Sequence, residues 1–282
     1  MRYVRLMKLP ASNAPSLFDR KILDLHRARA RIEDLFLHRA AADEVHDRLK
    51  LVNKTFTSPI IVSPFPKVWT ERFPEADVVL DDDVLELSPA SNDLVIHAMA
   101  LHWANDPVGQ LIQCHRALRP DGLLLAICLG GDTLTELRAA LGQAEIEITG
   151  GLSPRVAPMG ELRDLGGLLQ RAGFALPVAD SVPLSVEYRD LWHLMHDLRS
   201  MGETNALSAR RRTLTRRGLF NAAQAIYSEN FTSPSGRLTA TFELICLTGW
   251  SPDDSQPKPL RPGSAQTRLA HALRTDERKL PD

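Results

Sequence analysis

Short apolar runs alternate with stretches of three-and-four periodicity along this chain of 282 residues. The runs Ser58–Ser63 (SPIIVS), Asp77–Leu80, Leu94–Ile96 and Leu123–Leu129 are bounded by turn residues, as expected of strands buried on both faces of a parallel sheet. Between them the spacing predicts helices. Phe18, Ile22, Leu25, Ile32, Leu35 and Phe36 define one or two over 16–51, and Lys67–Phe73 a short one. Asn105-Asp106-Pro107 opens a helix carrying Val108, Leu111, Ile112 and Leu118, with a capping side chain followed by a proline, and Arg119-Pro120-Asp121-Gly122 stops it. Gly130-Gly131-Asp132 turns into another. Strand, helix, strand over Ser91–Arg138 is a βαβ unit, the building block of doubly wound sheets, which bind ligands beyond the carboxyl ends of their strands.

The later pattern is less regular. Met159–Ala172 reads as a helix ended by Gly173, and 174–186 as strand material broken by Pro177 and Pro183. From 188 to about 229 two helices are expected around a break at Met201–Asn205, the second carrying Arg210–Arg212, Arg216 and Arg217 ahead of Leu219, Phe220, Ala223, Ile226 and Tyr227. Leu238–Trp250 is a strand by its β-branched and aromatic content. Residues 251–266 hold four prolines and no period, a loop or tail, and Arg268–Leu280 reads as a terminal helix. The expected architecture is α/β, with N-terminal helices (1–57), a sheet domain (58–187 and 236–250), a helical cap insertion (188–235) and a Pro-rich tail (251–282).

Composition adds few constraints. The chain is 44% hydrophobic and 24% charged with a net charge of -1, so no global field favours nucleic acid or membrane. Three cysteines without a CxxC pair point to a reducing compartment, bacterial cytoplasm or mitochondrial matrix, and no apolar run reaches the ~18 residues of a membrane span. Residues 1–15 are basic and free of acids, a lead-in or a weak organelle address. Lys21, Arg27, Arg29, Arg31 and Arg39 make one helical region basic, either a solvated face or a dock for an acidic partner.

Candidate chemistry gathers at the expected strand ends. Asp81, Asp82 and Asp83 follow one run. His97 and the His102-Trp103 pair follow the next, where an acid or base would be useful; a structural hydrogen bond suits His102 equally well and is the better reading for His97. The N–H groups of Gly130-Gly131-Asp132 suit an anion, with Asp132 as helix cap the alternative. His193, His196 and Asp197 have metal-compatible spacing but no third partner by motif.

Several segments together resemble class I S-adenosylmethionine-dependent methyltransferases, and more closely the complex I assembly factor 5 family, related to the malonyl-carrier-protein methyltransferase of biotin synthesis. They are Leu17-Phe18-Asp19-Arg20, Leu101-His102-Trp103 with Asn105-Asp106, Leu118-Arg119-Pro120-Asp121-Gly122, and Gly130-Gly131-Asp132-Thr133-Leu134 with Glu136-Leu137-Arg138. Further on come Ser153-Pro154, Arg171-Ala172-Gly173-Phe174, Met201-Gly202-Glu203 with Asn205, Gly249-Trp250 and Arg261-Pro262-Gly263-Ser264-Ala265. The resemblance implies a Rossmann-like sheet, S-adenosylmethionine as cofactor with Asp81, Asp82, His97 and His102 beside it, and Trp103, Asp132, Glu203, Arg211 and Arg212 toward a protein substrate or partner, a quinone-side subunit of NADH:quinone oxidoreductase.

The chain departs from that family where it matters most. In place of a glycine-rich turn after the first strand stands Ser63-Pro64-Phe65-Pro66-Lys67, and no glycine precedes Gly109. Glycines there let the backbone approach the methionine part of the cofactor, and prolines remove donors. The stretch from Pro66 to Leu80 is too short for two crossovers, so about one βα unit is missing. Asp81-Asp82 then corresponds to the family's adenine-contacting turn rather than to its ribose carboxylate. Three readings follow: a working transferase with a rebuilt pocket, a non-catalytic assembly factor (a pseudoenzyme), or an unrelated binding module on a degenerate fold.

Overall fold

The computed structural model describes residues 16–257, 267 and 269–275. The basic lead-in 1–15, the Arg261–Ala265 motif and most of the expected terminal helix lie outside them; of that helix, α9 (Leu269–Leu273) is described. The described residues of Met1–Pro252 form one compact unit, with the cap helices inside it, and those of Asp253–Asp282 belong to a second.

The first unit opens with α1 (Arg20–Arg27), capped by Asp19, then a 3-10 turn at Ile32–Asp34 and α2 (Phe36–Leu51). Next come β1 (Pro59–Val62), α3 (Pro66–Arg72) and β2 (Asp77–Val79). The central βαβ unit is β3 (Asn92–Ala98), α4 (Pro107–Ala117) and β4 (Leu118–Leu129). Helices α5 (Thr135–Thr149) and α6 (Leu162–Arg171) lead to β5 (Ala175–Tyr188). The cap helices α7 (Leu191–Ser200) and α8 (Arg217–Asn230) precede β6 (Leu238–Trp250).

The six strands lie in the order β2-β1-β3-β4-β6-β5, parallel from β2 to β4, with β6 antiparallel to both its neighbours. Only one strand, β2, separates β1 from β3 in sequence, in keeping with a missing βα unit. The order reverses between β1 and β3, so the crevice beyond their carboxyl ends is the ligand position of this class of sheet. Side chains alternate between faces. Leu123, Leu125, Ile127 and Leu129 of β4 join one apolar cluster with α2, α5 and the cap. Leu124, Ala126 and Cys128 join a second with α4 and α6. Burial on both faces is why these strands read as unbroken apolar runs.

Three expectations change. β5 runs unbroken across Pro177 and Pro183 because it is an edge strand, where a missing N–H costs little; Leu176 at φ +49° and a register shift before Val178 absorb the first proline. β4 begins at Leu118 rather than after the expected Arg119–Gly122 turn, whose bend survives as a register shift against β3 and as Asp121 at φ +58°. The Arg210–Arg216 cluster sits in a loop, since α8 starts only at Arg217. Asp19 draws that loop onto α1, accepting from both Arg210 Nη1 and Nη2 at 3.1 Å.

Candidate functional site

At the switch point the sheet presents three strand ends, and protein fills the space beyond them. After β1, Ser63 is fully buried and its Oγ accepts from the Phe65 N–H at 3.2 Å, turning the chain into α3. Phe65 packs edge-on against His38 of α2. The Trp69 indole N–H donates to His38 Nδ1 at 3.2 Å. Burial drives the His38 pKa down to about 3, so the ring is neutral.

After β2, Asp81 is 3% exposed. Both its oxygens accept from Arg27 Nη1, at 3.0 and 2.9 Å, and Arg20 Nη1 donates to its carbonyl at 2.7 Å. Asp82 is exposed and reaches Arg20 at 3.3 Å. At β3, His97 is fully buried against Gln110, Nε2 to Oε1 at 2.7 Å. The Gln110 amide N–H donates to the Asp82 carbonyl, which turns its oxygen toward the ring and makes His97 Nε2 the donor. Burial lowers the His97 pKa as well.

An open cleft for a nucleoside-bearing cofactor would leave its walls accessible to solvent. Here Ser63, Phe65, Trp69, Asp81, His97 and Met99 are each no more than 8% exposed. Prolines 64 and 66 stand where backbone donors are needed. The residues present do not fit S-adenosylmethionine at this crevice.

The element that follows β3 faces elsewhere. The 3-10 turn Leu101–Trp103 sets two N–H donors on one carboxylate: Trp103 Nε1 meets Glu203 Oε2 at 2.8 Å and His102 Nε2 meets it at 3.4 Å. His102 Nδ1 accepts from the Leu129 N–H, which leaves Nε2 to donate. The Glu203 side chain is 7% exposed. Burial opposes its charge, but the hydrogen bond from His102 and the nearby Arg27 cation outweigh burial and its pKa is lowered. Glu203 comes from the break after α7, where Gly202 adopts φ +80° and a Cβ would stand 3.2 Å from the Arg27 Cα. Gly202→Ala therefore combines left-handed strain with backbone crowding and is expected to cost about 1–3 kcal/mol. A lower urea midpoint at unchanged slope would register this; an unchanged midpoint would mean that the turn relaxes.

Glu203 and Trp103 line a cavity of about 240 Å³ between α5, the 154–159 segment and the cap. Its walls are apolar, with Leu137, Met159, Met195 and Phe220 among them, and Arg155 and Arg211 also face it. Glu145 of α5 holds those arginines. It accepts from Arg155 Nη2 at 2.7 Å and from Ser153 Oγ, with Arg211 at 3.7 Å. Burial would raise its pKa, yet these bonds hold it at about 2.

Of the candidates from sequence, Trp103, Glu203 and Arg211 meet in this cavity, with His102 behind Glu203. Asp132 and Arg212 are exposed and outside it. Asp132 does not cap a helix either, since α5 starts at Thr135 after Leu134. Its N–H donates to Glu243 Oε2, so the anion expected at the glycine turn is supplied by β6. His193, His196 and Asp197 do not converge with a further ligand: among the described residues no group of three such side chains could hold a metal. Sequence reasoning missed His38, Trp69, Gln110, Glu145 and Arg155, which no motif marks, and it set Arg27 on a solvated or docking face although its side chain is 9% exposed.

Residues 40–126 match the family described as methyltransferase domain. The chain is 37% identical over 225 residues to the arginine-hydroxylase NDUFAF5, mitochondrial, of Danio rerio, covering 80% of this chain and 70% of that one. It is 35% identical over 232 residues to its counterpart in Rattus norvegicus, covering 82% and 67%. A malonyl-[acyl-carrier protein] O-methyltransferase of Methylovorus sp. is 39% identical over 175 residues, 62% of this chain and 56% of that one.

Proposed function

We infer the function from the premise that this chain belongs to the NDUFAF5 family, complex I assembly factor 5, and carries that family's methyltransferase-type domain. The inferred role is that of an assembly factor that takes an arginine side chain of a protein partner into the cavity under the cap, without using a methyl donor at the switch point. The partner is a quinone-side subunit of complex I, and the compartment is reducing, the matrix in organisms whose relatives are mitochondrial. The observation that carries this reading is the division of the site: the crevice after β1 and β2 is filled by Arg27 and Asp81, while the adjoining cavity stays open above a buried carboxylate.

The chemistry of that cavity suits arginine, the residue in the name of the relatives. Arginine offers an apolar stem to Leu137, Met195 and Phe220 and a planar cation to Glu203 beside the face of Trp103. A buried carboxylate held by two N–H donors pairs with an incoming guanidinium at little further desolvation cost.

Calorimetry tests the reading with two ligands. S-adenosylmethionine is expected to give no binding, and an arginine-containing peptide saturable binding that Glu203→Gln weakens at least tenfold. The amide keeps an acceptor for the Trp103 N–H, so the variant should fold. Micromolar binding of S-adenosylmethionine would restore the transferase reading. Equal binding of the same peptide with lysine in place of arginine would remove the arginine assignment.

A further inference from the structure

On the other side of the Glu203 turn lies a second, smaller cavity of about 180 Å³, lined by His26, Arg29, Arg199 and Thr204. Thr204 lines both this cavity and the one under the cap. Neither Arg29 nor Arg199 has a carboxylate within ion-pair distance among the described residues, whereas Arg27, at the same helix end, is paired with Asp81. The small cavity opens beside a wider one of about 410 Å³ to which Arg29 and Arg199 also contribute, together with Arg31, His193 and His196. The two acids there are engaged: Asp197 accepts from the Tyr188 hydroxyl at 2.7 Å and Asp34 faces Arg31 at 4.0 Å.

His26 supplies an independent mark. The half-buried ring lies against the backbone of Thr204, and its Nδ1 is shielded from solvent without a partner. A buried polar atom without a partner is costly, and beside it stand two solvent-exposed guanidinium groups, so a bound oxyanion would meet both cations and the ring. The charged groups acting on the ring are Arg29, Arg199 and Arg210, all cationic, so an arriving anion would let Nδ1 take a proton from solvent and become a third donor.

We propose that the seam between the end of α1 and α7 is a carboxylate-binding site that docks an acidic segment of the same protein partner whose arginine enters the cap cavity. The occupant follows from the charge complementarity of Arg29, Arg31 and Arg199 and from Thr204, which places the two cavities on either side of one turn. The proposal rests on the reading of a protein partner, but not on the identity of the side chain under the cap. It makes the acidic flank a determinant of which arginine is chosen, since rim charges set partner choice and encounter rate.

Fluorescence anisotropy with two labelled peptides tests this. Both carry one arginine; one has a run of glutamates beside it, and in the other these are glutamines. The glutamate peptide is expected to bind at least tenfold more tightly at low salt. The double variant Arg29→Ala/Arg199→Ala should abolish that advantage without altering the glutamine peptide, and circular dichroism should show the fold intact. Equal affinity for the two peptides, or an advantage that survives the double variant, would overturn the proposal. So would displacement of the glutamate peptide by inorganic phosphate at micromolar concentration, which would make this a site for a free anion. If the glutamate advantage is present but Glu203→Gln changes nothing, this site stands and the arginine reading of the cap cavity fails.

Discussion

Replacing Arg27 by methionine is expected to lower the free energy of unfolding by about 3–5 kcal/mol, the usual cost of breaking a buried ion pair from one side. Both partners are out of water, with side-chain exposures of 9% for Arg27 and 4% for Asp81. Methionine keeps the packing of the long stem but leaves the Asp81 carboxylate with Arg20 alone, at 3.4 Å. Most of the loss should be recovered in Arg27→Met/Asp81→Leu, because two apolar side chains of similar size replace a pair that was costly to bury. Urea denaturation of the four proteins measures the coupling directly. A single-variant loss below about 1 kcal/mol would mean that the pair is solvated in solution, with α1 standing away from the sheet. In that case the crevice would be open, and the double variant would be the form in which to look again for a nucleoside ligand.

The second large effect is loss of stability in mild acid. Burial lowers the pKa of His38 to about 3, and burial also lowers those of His97, His26 and His115. In the unfolded chain each takes up a proton near pH 6.5. The unfolded state therefore binds more protons than the folded one below that pH, and stability falls as the solution is acidified. The contribution of His38 is complete above about pH 6.5 and is lost as the pH falls toward 3, at up to about 1.4 kcal/mol per pH unit. Glu145 acts in a lower window: its contribution is present above its ordinary value of 4.5 and disappears on the way to about 2. Unfolding midpoints in urea between pH 8 and pH 5 should decline steadily below about 6.5. His38→Gln, which keeps an acceptor for the Trp69 N–H, should flatten that decline. A midpoint constant from pH 7 to pH 5 would contradict the buried neutral histidines.

The parts of this molecule that could be read along the chain are those governed by local chemistry. Buried parallel strands announce themselves as continuous apolar runs, so β1, β2 and β3 were placed within a few residues, as were α3 and the cap of α4 by Asp106. The absence of glycine around Pro64 was legible for the same reason, because the requirement it fails is a requirement on backbone at one turn. What could not be read is pairing at a distance. Asp81 and Arg27 lie 54 residues apart, and Trp103 and Glu203 100 apart. Arg27 looked like any other cation on a basic helix until the sheet placed an acid beneath it. β5 departs from the expected break because proline is a breaker or a neutral choice depending on whether its strand has neighbours on both sides, which is a property of the sheet and not of the strand.

The same strand has a consequence for how the protein behaves in a crowded compartment. An exposed strand edge of 14 residues carrying solvent-facing Leu176 and Val178 is a template on which another chain can add. Pro177 and Pro183 remove two of the donors such an addition needs, and Asp180, held by Arg48, adds a charge that an incoming strand would have to accommodate. At the opposite edge β2 has only three residues. Both ends of the sheet are thus poor seeds for aggregation, so copies of the chain can accumulate without recruiting one another through strand addition.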